Sequence, residues 1–190
     1  ALDVHAHAVV CGWSNLGGMF GYMTPISAFS AGVDGFLATF MGADSLVQCT
    51  YVGAPGQDTL VAVGSVDSTG LVLVGNTTST TGIATAGAWM PNAAGDQDVF
   101  IMRVDSDLFI TQGTYFGGAF LDQASGLSRW NDRFMVCGIT LSDSLPMDTT
   151  ALSPVLSGGT DGFLAEFNDA LQLTWSTYVG DTADDGLMGI

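Results

Sequence analysis

Few residues in this chain are equipped for chemistry, and most of those recur. His5 and His7 stand two apart, on one face of an extended strand, a spacing that can chelate a metal ion. No cysteine or carboxylate clusters beside them and neither recurs later in the chain, so they read as ordinary strand histidines. The acidic groups Asp96/Asp98, Asp105/Asp107 and Asp181/Asp184/Asp185 offer the oxygen ligands that Ca²⁺ prefers. None has the spacing of a helix–loop–helix calcium site. Ca²⁺ is therefore the one cofactor considered, and no cofactor or metal residue is assigned. Glu166 is the only glutamate, and the paired carboxylates of a glycosidase have no singular, unrepeated candidate here. No nucleophile elbow, HExxH helix, phosphate loop or dinucleotide fingerprint occurs, so no catalytic residue is assigned either.

The aspartates belong to an internal repeat. The stretch 161–180, DGFLAEFNDALQLTWSTYVG, has earlier copies at 34–53 (DGFLATFMGADSLVQCTYVG) and 98–117 (DVFIMRVDSDLFITQGTYFG). Asp34, Asp98 and Asp161 are 64 and 63 residues apart, and so are Phe36, Phe100 and Phe163, and Tyr51, Tyr115 and Tyr178. Asp58, Asp122 and Asp185 recur in the same way, and the glycines of VVCGWS, VLVGNT and MVCGIT (Gly12, Gly75, Gly138) keep the same period. A residue type demanded three times by one period serves the repeating architecture before it serves a unique site.

Each copy alternates with period two and carries apolar residues on both faces, as in Phe36, Ala38 and Phe40 against Leu37 and Thr39. That pattern predicts a strand covered on both sides. A polar turn (41–45, 105–107, 168–170) then leads to a second strand ending in TYxG. A further hairpin runs from 59–66 to 71–75 through Asp67-Ser68-Thr69-Gly70, with Gly70 suited to positive φ. Its counterpart turns at Asn131-Asp132. Long loops at 15–33, 78–97 and 141–160 each carry a proline, Pro25, Pro91 and Pro154. Four antiparallel strands per repeat with no wet face predict an all-β chain, a β-propeller fragment of about three four-stranded blades, with Phe36, Phe100 and Phe163 filling the layers between them. The expected division is 1–57 for an incomplete first blade, 58–121 and 122–184 for full blades, and 185–190 for the start of another.

Composition narrows the partners. Nineteen acidic residues face three arginines and no lysine, for a net charge of −16, which repels a phosphate backbone and argues against nucleic acid. No apolar run approaches the ~18 residues of a membrane-crossing helix, so no membrane insertion is expected. Cys11 and Cys137 fall at equivalent repeat positions, which do not touch, and Cys49 aligns with Gly113 and Ser176; three free, mostly buried thiols are expected. The sequon Asn76-Thr77-Thr78 is a pattern match on a repeat position.

The motifs DGFLAEF, STYVG with the acidic stretch 182–185, and VGNTTS at 74–79 resemble the bacterial seven-bladed beta-propeller repeat (SBBP) family across essentially the whole chain. The chain departs from that pattern at Val99, where a small residue is favoured, and at Thr39, Arg103 and Glu166, where a lysine is usual. The resemblance implies a secreted or cell-surface bacterial protein, often multi-domain, acting as a binding or scaffold module. The expectation that follows is a non-catalytic module whose long loops meet a protein or glycan ligand, with further blades or domains in the same polypeptide. The alternative is part of a propeller-based polysaccharide hydrolase or lyase with its catalytic residues outside this stretch. Trp89 and Met90 are the loop residues singled out for contact, Trp89 reading more readily as a core plug.

Overall fold

The computed structural model describes residues 7–19, 27–30, 32–42, 45–66, 70–148 and 150–190. Among them the chain is all-β, with eleven strands and no helix, in three antiparallel sheets. Sheet 1 holds β1 (Ala8–Ser14), β2 (Asp34–Met41) and β3 (Ser45–Val52) in that order. Sheet 2 holds β4 (Asp58–Ser65), β5 (Gly70–Thr77), β6 (Asp98–Asp105) and β7 (Ile110–Phe116). Sheet 3 holds β8 (Asp122–Trp130), β9 (Arg133–Thr140), β10 (Asp161–Asn168) and β11 (Leu173–Val179). Every neighbour in a sheet is a neighbour in sequence, so each sheet is a plain meander.

The period-two pattern with two apolar faces is used as such. One face of sheet 2 (Leu71, Leu73, Phe100, Met102, Val104) packs with Leu37, Val52 and Val9 of sheet 1, and the other (Val72, Val74, Val99, Ile101) packs with Phe134, Val136, Phe163, Ala165 and Phe167 of sheet 3. β5 is consequently buried along its whole length. Phe100 and Phe163 are fully buried at these layers while Phe36, on the outward face of sheet 1, is half-buried. Each ring lies over the repeated glycine across the strand pair, Gly12 under Phe36, Gly75 under Phe100 and Gly138 under Phe163. A β-carbon at Gly75 would fall 2.5 Å from the Phe100 ring, which is why the period demands glycine there.

The hairpin turns are built by side-chain oxygens and left-handed residues. Asp105 Oδ1 accepts the amides of Asp107 and Phe109, and Asn168 Oδ1 those of Ala170 and Gln172, with Leu108 and Leu171 at φ 62° and 52°. Asn131 takes φ 53° in the two-residue turn between Trp130 and Arg133. Gly70 takes φ 153°, with the Val104 carbonyl oxygen where a β-carbon would sit; the remaining residues of its turn, 67–69, lie outside the described residues. The three cysteines are free, Cys49 and Cys137 buried and Cys11 half-buried, and burial raises the thiol pKa of Cys11 and Cys49.

Candidate functional site

The repeated residues converge at one end of the sheets, where each adjoining pair of sheets meets. Asp58, Thr77 and Asp98 stand side by side across the first three strands of sheet 2, and Asp122, Thr140 and Asp161 do so in sheet 3. All six are at most 1 % exposed. Every strand-entry aspartate closes the same small loop by accepting the backbone amide four residues upstream. Ser30 donates to Asp34, Ala54 to Asp58, Ala94 to Asp98, Gly118 to Asp122, Ser157 to Asp161 and Asp181 to Asp185, at 2.5–2.8 Å. The glycine of TYxG sits between two of these carboxylates from adjoining repeats. A β-carbon at Gly53 would lie 2.6 Å from Asp34 and 3.0 Å from Asp58, and one at Gly117 would lie 2.0 Å from Asp98 and 2.9 Å from Asp122.

Hydroxyls add bonds at Asp58 and Asp122, while Oδ1 of Asp98, Asp122 and Asp161 is buried without a partner. Thr77 Oγ1 donates to Asp58 Oδ1, Ser79 Oγ donates to Asp58 Oδ2 at 3.0 Å, and Ser142 Oγ donates to Asp122 Oδ2 at 2.9 Å. Desolvation raises the carboxyl pKa of Asp58, Asp98 and Asp122 above the ordinary value, against the lowering effect of these amides and hydroxyls. The negative charge of Asp34 adds to the rise at Asp58, and that of Asp122 to the rise at Asp98. These aspartates therefore act as loop-closing and strand-entry residues. Among the described residues no three His, Cys, Asp or Glu side chains converge as a metal cage would require.

The rest of TYxG anchors the long loops. Thr50, Thr114 and Thr177 accept the amides of Ser27, Met90 and Ser153 through their hydroxyls, at 3.1, 2.9 and 2.8 Å. The amides of Tyr51, Tyr115 and Tyr178 return bonds to the carbonyls of the same three residues. The loop thus docks on the outer edge of the fourth strand of each repeat, covering groups that an edge strand would otherwise expose. Tyr178 Oη reaches further back, donating to the Ser142 carbonyl at 2.7 Å and accepting the Leu145 amide, while Tyr51 Oη accepts the amides of Gly18 and Met19.

The residues singled out for chemistry are dispersed. His7 precedes β1, and His5 and Pro25 lie outside the described residues. Asp96 precedes β6, Asp105 and Asp107 close the β6–β7 turn, and Asp181 and Asp184 cap the segment leading to Asp185. Glu166 pairs with Arg133 and accepts from Thr174, all on sheet 3. Trp89 packs against the core between sheets 2 and 3 and Met90 against that between sheets 1 and 2, each half-buried. Asn76 is buried, its carbonyl accepting the Ala124 amide at 2.7 Å and its amide reaching the Ala124 carbonyl at 3.3 Å, so it is no accessible glycan acceptor. All three arginines are engaged: Arg103 with Asp169, Arg129 with the Ser65 carbonyl and Arg133 with Glu166.

One surface feature escaped the sequence reading. Trp130 is 78 % exposed at the tip of the β8–β9 hairpin, beside a shallow groove lined with Asn131, Asp132, Arg133, Met135 and Glu166. Its signal in the sequence is that it breaks the repeat beside a tight turn. No family model and no curated protein sequence matches the chain.

Proposed function

We propose that the three stacked sheets are blades of a β-propeller of the SBBP type, and that the chain is a non-catalytic binding or scaffold module of a secreted or cell-surface bacterial protein. Its loops at 78–97 and 141–160, with 15–33 in the first repeat, present a protein or glycan ligand surface. The observation that carries this reading is the division of labour within each repeat. The repeated Asp, Thr and Tyr positions bond within the fold and the repeated Gly positions pack against the carboxylates, while the loops they clamp differ in sequence from one repeat to the next. A rigid clamp under a variable loop is the arrangement of a display scaffold. The segment 185–190 opens a further blade in this reading.

A glycan array run beside a panel of polysaccharide hydrolysis assays tests the proposal. Binding without turnover, weakened when residues 80–93 are replaced by a Gly/Ser linker of equal length, is the expected result. Turnover of any polysaccharide by the chain would overturn the non-catalytic reading.

A further inference from the structure

Where sheets 2 and 3 meet, between two complete four-stranded sheets, the end that holds the strand-entry aspartates exposes two apolar side chains. Phe120, just before β8, is 50 % exposed, and Leu141, just after β9, is 40 % exposed. They stand side by side, because the Phe120 amide donates to Ser142 Oγ at 2.9 Å and the Leu141 amide donates to the Leu121 carbonyl at 2.9 Å. The frame beneath them is fixed. Ser142 Oγ and the Gly118 amide both donate to buried Asp122, at 2.9 and 2.7 Å, and the Asp122 amide donates to the Gln97 carbonyl at 2.8 Å.

The apolar pair departs from the repeat. The position of Phe120 is held by Gly56 and Ala183 in the other copies, and that of Leu141 by Asn15 and Thr78. Where sheets 1 and 2 meet, the same backbone bond recurs from the Thr78 amide to the Gln57 carbonyl, at 2.9 Å. There the place is bare: a β-carbon at Gly56 would lie 2.4 Å from Ser79 Oγ, and the Thr78 hydroxyl is engaged by the Gln57 amide. The architecture therefore asks for no large side chain at either position, and a phenyl ring and a leucine left in water on a rigid frame have the form of an anchor site.

The surroundings name the occupant. Asp96 and Asp143 are exposed on either side of the pair: Asp96 follows Gly95, whose β-carbon would lie 2.4 Å from the Phe120 carbonyl oxygen, and Asp143 follows Ser142. Among the described residues no basic side chain stands at this end. Arg103 lies beside the β6–β7 turn, Arg129 and Arg133 flank the β8–β9 turn, and His7 precedes the end of β1 that pairs near the β2–β3 turn. A second copy of the chain would bring the same acidic end and a net charge of −16, so self-association here is repelled. An apolar centre inside a rim of one sign selects a partner with an apolar side chain flanked by cations.

We infer that Phe120 and Leu141 form a docking site for a basic peptide segment of a partner protein, with an apolar side chain seated on the pair and flanking lysines or arginines beside Asp96 and Asp143. This rests on the display reading above and names its ligand as a protein.

The test applies the labelled 190-residue chain, at about 150 mM salt, to an array of hexapeptides whose two central residues lie between pairs of lysines. Centres of leucine, isoleucine, phenylalanine or tryptophan should bind at least about tenfold more tightly than centres of serine or glycine, and the same apolar centres between glutamates should not bind. The double variant Phe120→Gly/Leu141→Thr, which restores the residues found at Gly56 and Thr78, should weaken the best peptide at least about tenfold with the circular dichroism spectrum and melting temperature unchanged. Asp96→Asn/Asp143→Asn should flatten the salt dependence of that peptide's Kd. Equal binding of apolar and polar centres, or unchanged binding by the Phe120→Gly/Leu141→Thr variant, would overturn the inference. So would a neutral oligosaccharide whose binding requires Phe120, since the ring would then be a sugar platform. A ligand lost when residues 80–93 are replaced, but held normally by the double variant, overturns the docking site and leaves the display reading standing; a chain that binds no peptide and no glycan contradicts both.

Discussion

The seam between sheets 1 and 2 and the seam between sheets 2 and 3 are built on one plan with different parts. At the first, Gly35 follows the strand-entry aspartate and the Leu60 side chain fills the space above it. At the second the bulk has changed sides: Val99 holds the glycine's place and Ala124 the leucine's, both in one buried cluster. The third junction returns to glycine and leucine at Gly162 and Leu187. The lesson is that the seam conserves summed volume rather than residue type, as close packing requires. It also explains Val99, the departure from the repeat pattern. The second seam adds the two bonds between Asn76 and the Ala124 backbone, where Trp13 and Ile139 occupy the equivalent positions.

The largest effects should fall on the glycines between the carboxylates. Gly117→Ala would drive a β-carbon into Asp98 Oδ1, at 2.0 Å, where Gly53→Ala meets Asp34 at 2.6 Å. We expect losses of about 3 kcal/mol for Gly117→Ala and about 2 kcal/mol for Gly53→Ala in urea unfolding. Equal losses at the two sites would remove the distinction between the seams. Next comes Asn76→Ala, which leaves the Ala124 amide and carbonyl without their side-chain partner. A cost of about 2 kcal/mol is expected, with no such cost for Trp13→Ala at the first seam's equivalent position.

The smallest effect is a pH dependence. Asp58, Asp98 and Asp122 have folded pKa values raised above the unfolded value of about 3.9. A raised carboxyl binds its proton more tightly in the folded state, so the stabilisation is fully present below the unfolded pKa and is lost as pH rises through the folded values. The melting temperature should therefore fall as pH is raised from about 4, and Asp98→Asn should flatten that fall. A melting temperature that rises over this interval would contradict the assignment.

The all-β antiparallel character was legible because alternation on both faces leaves a strand no wet side. That the recurring aspartates serve the architecture was legible too, from their common period, and the structure shows them closing loops at strand entry. The clamp on the long loops was not: Ser27, Met90 and Ser153 are held through backbone groups, so their side chains carry no pattern, and they lie 23 or 24 residues from the threonine that holds them. The exchange of volume between Val99 and Ala124 stayed hidden because it pairs residues of different sheets, visible only once both registers are known. Trp89, read as a core plug ahead of a ligand contact, packs on the core, while Trp130, on which the repeat offered no reading, stands in solvent.

A double-mutant cycle at the second seam tests the stacked-sheet account most directly. Val99→Gly removes bulk, Ala124→Leu adds it, and the pair together recreates the Gly35/Leu60 arrangement of the first seam. Each single change should cost about 2 kcal/mol, and the double variant should recover at least about 1 kcal/mol relative to their sum. Strictly additive losses would mean that Val99 and Ala124 do not share a packed layer, and that sheets 2 and 3 do not meet as described.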